Sequence, residues 1–201
     1  MYRHLFKRLF DLILALMALP FWFIILIFIG PCIYFQDKGS IFYNAPRLGK
    51  DGKVFKMYKF RSMKMNAPDI RNKDRSTYNA EDDPRLTKIG KFIRKTSIDE
   101  TPQLLNVIKG DMSIIGPRPD LPEAINHYQG EEKLKISVRP GISGYSQAYF
   151  RNSISAVDKF KNDVFYVNNL NFLLDLKIIF ITLITSLKRK NIHSNSRQIN
   201  S

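Results

Sequence analysis

The chain has 201 residues, 44% of them apolar, and its 32 lysines and arginines against 18 aspartates and glutamates give a net charge of +14. This length accommodates one domain with a hydrophobic core plus an appendage. The charge predicts anionic partners, namely nucleic acid, phosphate-bearing small molecules or an acidic membrane surface. The single cysteine, Cys32, excludes an internal disulfide and fits a reducing compartment.

The first predicted element is an uncharged apolar stretch at 12–35, which exceeds the ~20 residues that span a bilayer. It is too long for a signal peptide, and no small-residue cleavage site follows it. Basic residues flank both ends: Arg3, Lys7 and Arg8 precede it, and Lys38, Arg47, Lys50 and Lys53 follow it.

The basic flanks decide how this stretch is interpreted. A helix that crosses a membrane usually carries its lysine and arginine excess on one side only, the cytoplasmic side. Pro20 and the Gly30–Pro31 pair predict a kink or break, because proline removes a helix hydrogen bond and clashes with the preceding turn. We therefore favour a re-entrant helix that enters and leaves through one leaflet. A straight span and a buried soluble helix remain the alternatives.

The central part of the chain predicts a hairpin followed by two helices. Short apolar and basic pieces alternate at 41–65 around a turn at 50–53. The polar stretch 66–84 has acidic residues that suit a metal, although a solvated loop is favoured. From 85 to 109 the apolar spacing is helical. The second helix has two competing starts, a capping box at 97–100 and an N-cap at Thr101–Pro102, and Gly110 ends it.

The C-terminal part predicts one more helix, at 171–190. Its apolar face suits a helix lying on a membrane surface, and an ordinary core helix is the alternative. That face comprises Leu173, Leu176, Phe180, Leu183, Ile184 and Leu187. The domain organisation is therefore a membrane helix at 1–36, a domain with membrane-surface helices at 37–190 and a disordered tail at 191–201.

The adjacent carboxylates Asp99 and Glu100 are the first candidate site. Acidic residues are common at a helix N-terminus because they complement the helix dipole, so a purely structural role is the simpler interpretation. The same position stabilises an ionised carboxylate and attracts phosphate. An ionised aspartate beside a divalent cation and a diphosphate can attack phosphorus and form an acyl phosphate.

Basic side chains are the candidate phosphate ligands. Arg118 lies between two prolines, which lower the entropy cost of holding one guanidinium in place, although a stiff loop would look the same. The further candidates are Lys59, Arg61, Arg94, Arg139 and Arg151.

Six motifs together resemble one known family. They lie at 58–63, 83–90, 94–100, 109–113, 116–119 and 138–144, and they cover nearly the whole chain in order. The sequence is similar to the bacterial sugar transferases, the small monotopic phosphoglycosyl transferases.

The resemblance implies a magnesium-dependent transfer of a sugar 1-phosphate from a UDP-sugar to polyprenyl phosphate, usually undecaprenyl phosphate, at the start of cell-surface glycan assembly. It implies that Asp99 is the nucleophile and forms a covalent phospho-sugar intermediate, with release of UMP. Glu100 would assist with metal or proton, so that both carboxylates are expected magnesium ligands. Arg118 would contact phosphate.

The fold that the resemblance implies is α+β: a small, mainly helical cytoplasmic domain with a short β-hairpin. A re-entrant N-terminal helix and interfacial amphipathic helices would anchor it to membrane lipids at the cytoplasmic face of the bacterial inner membrane. Nucleic acid is not an expected partner, and a homo-oligomer is left open.

Two departures from the family pattern concern details. The helix break expected at Ser-Pro is Leu19–Pro20 here, and the segment 144–152 differs from the usual loop, so the sugar is not identified by sequence. Two rival interpretations are a membrane-tethered nucleic-acid-binding module, for which no recognition motif is found, and a non-catalytic scaffold of a polysaccharide-export complex.

Overall fold

The computed structural model describes residues 2–70, 78, 80, 83–150 and 154–188. Within these residues the fold is mainly helical with two small sheets, in agreement with the α+β prediction. The helices are α1 (Lys7–Asp37), α2 (Lys88–Lys95), α3 (Gln103–Lys109), α4 (Tyr145–Tyr149), α5 (Ala156–Asn168) and α6 (Phe172–Lys188). The strands are β1 (Phe42–Leu48), β2 (Val54–Phe60), β3 (Ser113–Ile115) and β4 (Gly141–Ser143). The predicted tail at 191–201 lies outside the described residues.

The predicted hairpin is confirmed. Strands β1 and β2 pair antiparallel from Phe42 opposite Phe60 to Leu48 opposite Val54. The connection reverses direction at Asp51 and Gly52, whose φ values are 57° and 75°. These positive φ angles suit aspartate and glycine, which enter the left-handed region more easily than other residues.

Helix α1 runs through both prolines as one helix, so of the predicted kink or break the break is absent, and the kink stays a prediction. A proline removes one backbone hydrogen bond, and packing of the flanking residues can hold the helix together despite that loss. One stripe of α1 is buried against the rest of the domain: Lys7, Asp11, Ala15, Trp22, Gly30 and Ile33. Trp22 and Ile33 join a core cluster with Phe60 of β2 and Ile93 of α2.

Polar contacts attach both ends of α1 to the same domain. Near its start, Lys7 Nζ lies 2.7 Å from an Asp175 carboxylate oxygen in α6. Asp11 accepts hydrogen bonds from the Ser113 hydroxyl at 2.9 Å and from the Ile114 amide at 3.0 Å. At the other end, two Arg61 nitrogens donate to the two Asp37 oxygens, each at 2.6 Å.

The opposite side of α1 is apolar and exposed. Among the described residues, α1 is the one helix long and apolar enough to cross a membrane, and only 11% of its most apolar window is buried. Helix α6 extends this surface, since Phe172 packs against the rings of Tyr2 and Phe10. Side chains that α6 exposes include Leu173, Leu176, Phe180 and Leu183. Most of the described part of the apolar face predicted for α6 is therefore exposed. Among the described side chains of α6, Asp175 and Ile178 are buried.

The segment between α2 and α3 differs in detail from both predicted helix starts. Ser97 adopts a left-handed conformation with φ 58° and makes no side-chain cap, so the predicted capping box is absent. A single 3₁₀ turn, Ile98–Glu100, follows it, and α3 begins only at Gln103. Gly110 ends α3 with φ 101°, as predicted. Asp99 and Glu100 thus lie on a tight turn directly ahead of α3.

Candidate active site

Glu100 joins two of the predicted phosphate ligands. Its Oε1 atom accepts hydrogen bonds from Lys59 Nζ at 2.6 Å and from Arg118 Nη2 at 2.9 Å. Lys59 comes from strand β2 and Arg118 from the loop after β3, so the contact joins three separate segments. Although burial opposes ionisation, the charges of Arg118 and Lys59 hold the pKa of Glu100 well below its usual range.

Asp99 lies beside this ion-paired group in a different environment. It is only 8% exposed, and its carboxylate accepts no hydrogen bond from another described residue. Burial raises the pKa of Asp99 to about 6, a rise that the positive charge of Lys59 limits and the negative charge of Glu100 promotes. The two neighbouring carboxylates therefore have their pKa values moved in opposite directions, which is typical of carboxylates with different chemical roles.

Lys59 reaches Glu100 because a buried asparagine fixes α3 against β2. Asn106, which is fully buried, accepts a hydrogen bond from the Tyr58 amide at 2.9 Å and donates one to the Lys56 carbonyl at 2.8 Å. These two bonds satisfy backbone groups on the edge of β2 that faces away from β1, where no other strand pairs with it. The register of α3 along β2, and with it the Lys59–Glu100 contact, is set by this side chain.

Arg94 is positioned by close contact between α2 and the segment after β2. A Cβ atom on Gly90 would lie 1.8 Å from the Ser62 carbonyl oxygen, so only glycine allows this approach. Thr87 caps α2 by accepting from the Gly90 amide at 2.9 Å. Arg94 Nε then donates to the Ser62 hydroxyl at 2.9 Å, with its charge close enough to Asp99 to favour that group's ionised form.

Arg118 is positioned by a glycine crossing. Strands β3 and β4 pair in parallel, which places Gly116 against Gly141 and Gly144. A Cβ atom on Gly141 would lie 2.1 Å from the Gly116 nitrogen, and one on Gly144 would lie 2.3 Å from the Gly116 oxygen. The chain leaves this crossing directly into Pro117, so the direction in which Arg118 projects is fixed by backbone packing.

The other predicted ligands are not brought to Glu100. Arg61 bonds Asp37 at the end of α1, together with backbone carbonyls of Ser40 and Met63. Arg139 donates from Nε to the Gly110 carbonyl at 2.8 Å, at the far end of α3. Arg151 lies outside the described residues. The structure therefore brings together Asp99, Glu100 and three basic residues: Lys59, Arg94 and Arg118.

The acidic pair is the part of the site whose oxygen atoms could hold a metal ion. Among the described residues, no group of three or more histidine, cysteine or acidic side chains is arranged to hold a metal. Lys59 and Arg118 both bind Oε1 of Glu100. Within the described part of the chain, Oε2 of Glu100 and the Asp99 carboxylate have no hydrogen-bond partner. Magnesium is commonly held by one or two carboxylates together with substrate phosphate oxygens, which matches this donor set.

Sequence reasoning missed two residues that build the site, Ser62 and Asn106. Ser62 lies within one of the recognised motifs, but a serine there gives no sign that it orients an arginine 32 residues later. Asn106 was detectable as a polar residue within the apolar run of α3, since buried polar side chains are normally hydrogen-bonded.

A family model described as bacterial sugar transferase matches residues 2–189. The galactosyl transferase CpsE of Streptococcus agalactiae is 44% identical over 192 residues, covering 90% of this chain and 42% of that protein. The uncharacterized sugar transferase EpsL of Bacillus subtilis is 42% identical, covering 88% of this chain and 85% of its own length.

A third relative, the undecaprenyl-phosphate galactose phosphotransferase of Salmonella typhimurium, is 35% identical over 194 residues. These cover 91% of this chain and 40% of that protein. The chain thus spans less than half the length of CpsE and of the Salmonella protein, and most of the length of EpsL. With the family model matched over nearly its whole length, the chain belongs to the bacterial sugar transferase family.

Proposed function

We propose that this protein transfers a sugar 1-phosphate from a UDP-sugar to a polyprenyl phosphate, with undecaprenyl phosphate as the acceptor. The observation that carries the proposal is that two adjacent carboxylates have different environments. The pKa of Asp99 is raised, whereas Glu100 is ion-paired and its pKa is lowered, and three cations lie around the pair. The printed names of relatives support the acceptor, among them the undecaprenyl-phosphate galactose phosphotransferase. The product would begin the assembly of a cell-surface glycan.

The proposed reaction begins at Asp99. A carboxylate oxygen of Asp99 attacks the β-phosphorus of the UDP-sugar, and the bond from that phosphorus to the bridging oxygen breaks, so UMP leaves with the electron pair. The sugar phosphate is then held on Asp99 as an acyl phosphate. An oxygen of the lipid phosphate attacks the same phosphorus and expels the Asp99 carboxylate, which gives a sugar–diphosphate lipid.

The three cations suit the charges that this reaction handles. Arg118 is about half exposed, so its guanidinium can contact a substrate phosphate while it stays near Glu100. Lys59 is ion-paired with Glu100, and the charge of Arg94 favours the ionised form of Asp99. We propose that Glu100 holds Lys59 and Arg118 in place before the substrate arrives, which lowers the cost of organising charge during the transfer.

Asp99 and Glu100 are the residues that we propose hold magnesium. The ion, when bound, neutralises the diphosphate and polarises the phosphoryl oxygens. Without such neutralisation, two like charges 4 Å apart repel by about 4 kcal/mol at an effective dielectric constant of 20. The carboxylate of Asp99 would then face a strong barrier to approaching the substrate.

We further propose that α1 is re-entrant and that the domain lies on the cytoplasmic face of the bacterial inner membrane. Two contacts support this topology, Lys7 with Asp175 at one end of α1 and Asp37 with Arg61 at the other. A helix that crossed the bilayer would put its two ends on opposite sides, and one polar domain does not reach both. The flanking basic residues favour the cytoplasmic side.

Replacing Asp99 by asparagine should keep the fold and reduce turnover to background, because the amide has nearly the same size and no anionic oxygen. A UDP-sugar labelled in the β-phosphate, added without lipid, should leave label on the wild-type protein and none on Asp99→Asn. The matched control is Asp51→Asn, an exposed residue of the hairpin turn, which should be labelled like wild type. Substantial turnover by Asp99→Asn would show instead that the lipid phosphate attacks directly.

Replacing Glu100 by glutamine should lower the pKa of Asp99 from about 6 toward the ordinary aspartate value of about 4. The substitution removes the negative charge of Glu100, which raises the pKa of Asp99. It also removes the ion-pair partner of Lys59 and Arg118. Carboxyl ¹³C NMR of the detergent-solubilised protein measures this pKa, with Asp99→Asn assigning the signal. In wild type, covalent labelling should fall as the pH drops through about 6, since only the ionised carboxylate attacks.

The exposed Glu123 supplies the control, because Glu123→Gln removes an equal charge elsewhere and should leave the Asp99 pKa unchanged. A pKa of Asp99 that is identical in wild type and Glu100→Gln would contradict the proposed coupling between the two carboxylates.

Chelation should abolish transfer, and added magnesium should restore it, because the substrate diphosphate must be neutralised near Asp99. Release of UMP from a UDP-sugar by the purified protein is the measurement. Full activity in excess chelator would remove magnesium from the proposal while leaving the role of Asp99 intact.

The topology is tested with single cysteines in a Cys32→Ser background, one ahead of Met1 and one as Lys91→Cys in the domain. A membrane-impermeant maleimide should label neither in intact cells and both after permeabilisation, because both sites lie in the cytoplasm. Labelling of the N-terminal cysteine in intact cells would mean that α1 crosses the membrane.

A further inference from the structure

A second cluster of basic residues lies beside the C-terminal end of α3, whereas Asp99 precedes the N-terminal end of this helix. A cavity of about 180 Å³ opens where the start of α1 meets the segment before β4. A single water needs only ~10–15 Å³, so the space admits a polyatomic ion. Five cations and one carboxylate line it: Arg3, Lys7, Arg8, Lys50, Arg139 and Asp11.

This cavity is separate from the catalytic pair. Arg8 donates to the carbonyls of Val107 at 2.6 Å and Ile108 at 3.1 Å, and Arg139 donates to the Gly110 carbonyl. These carbonyls form the C-terminal end of α3, whereas Asp99 precedes its N-terminal end. The seven residues of α3 separate the two places by about 10 Å at ~1.5 Å per residue.

The charge in the cavity is not neutralised by the described side chains. Lys7 is paired with Asp175 and lies 3.8 Å from Asp11. Arg8 and Arg139 bond only carbonyl oxygens, and Arg3 bonds the Ser137 hydroxyl at 2.9 Å. Helix-end carbonyls carry about half an elementary charge in total, which is too little to balance two guanidiniums. An anion in this space would complete the electrostatics.

The apolar surface described above borders the cavity. Phe6, Leu9 and Ile13, which lie in the same N-terminal helical segment as Arg3 and Arg8, are each about half exposed. Leu170, which lines the cavity, is two residues ahead of Phe172 at the start of α6. A ligand held here has cations at one end and hydrocarbon-compatible side chains beside it, which is the pattern of a phospholipid at a membrane interface.

We propose that this cavity binds the phosphate headgroup of an anionic phospholipid, with its acyl chains along the exposed faces of α1 and α6. Guanidinium groups bind phosphate oxygens through charge-assisted hydrogen bonds, and lysine adds a point charge. The bound lipid fixes the start of α1 at headgroup depth. The inference does not depend on the proposed transfer reaction, because no residue that we place at the transfer site takes part.

Binding is measured with the detergent-solubilised full chain and short-chain phosphatidylglycerol kept below its critical micelle concentration. Phosphatidylcholine of equal chain length and inorganic phosphate are the comparison ligands. The test variant is R3Q/K50Q, since both side chains are exposed. R3K/K50R preserves the charge, and K91Q/K95Q removes the same charge from an exposed face of α2.

Phosphatidylglycerol should bind the wild type more tightly than either comparison ligand. R3Q/K50Q should weaken it about thirtyfold, on the basis of ~1 kcal/mol for each basic residue near an anionic lipid. R3K/K50R and K91Q/K95Q should each stay within about twofold of wild type. Unchanged melting temperatures establish that the variants fold. If the double variant does not fold, the single variant R3Q replaces it and should bind about fivefold more weakly than wild type.

Three results would overturn the inference. Equal affinity for phosphatidylcholine would make the binding non-ionic, and equal affinity for inorganic phosphate would make the ligand a free anion. An equal loss in K91Q/K95Q would mean that overall charge, and not this cavity, attracts the lipid.

Discussion

The architecture depends on two buried carboxylates, Asp11 and Asp175, that attach an apolar helix to a polar domain. Asp175 is fully buried and accepts hydrogen bonds from Lys7, from the Tyr2 hydroxyl at 2.6 Å and from the Tyr166 hydroxyl at 2.7 Å. A buried carboxylate is costly unless it is paired and hydrogen-bonded, so α1, α5 and α6 are held in one relative arrangement. Removing one partner would leave an unbalanced charge in the core.

The same network extends through β3 to the residues that we propose for catalysis. Asp11 holds the first two residues of β3, and the strand continues into the glycine crossing from which Arg118 projects toward Glu100. The position of Arg118 is therefore tied to the membrane-associated helix through backbone and not through a flexible loop. Such support matters because electrostatic stabilisation of a transferring phosphate requires charges that are fixed in advance.

Local sequence determined the elements whose causes are local. Alternating apolar and basic pieces around an Asp-Gly turn specified the hairpin. A glycine specified the end of α3, and apolar composition specified the long first helix. The adjacent carboxylates and the Pro-Arg-Pro loop could be identified as a site because their residue types suit phosphate chemistry. Each of these features is encoded in a continuous stretch of the chain, where composition, backbone preference and side-chain periodicity act directly.

Tertiary structure decided which charges meet. Arg61 and Arg94 looked alike in sequence, but Arg61 is held by Asp37, 24 residues away, and Arg94 by Ser62, 32 residues away. The predicted capping box is absent, and Glu100 instead bonds two cations from distant segments of the chain. Sequence thus determined the hairpin, helices α1, α2, α3 and α6, and the residue types of the proposed site, whereas α4 and α5 were not predicted. Only packing determined the partners of each charge, because ion pairs depend on distances in space that residue spacing does not encode.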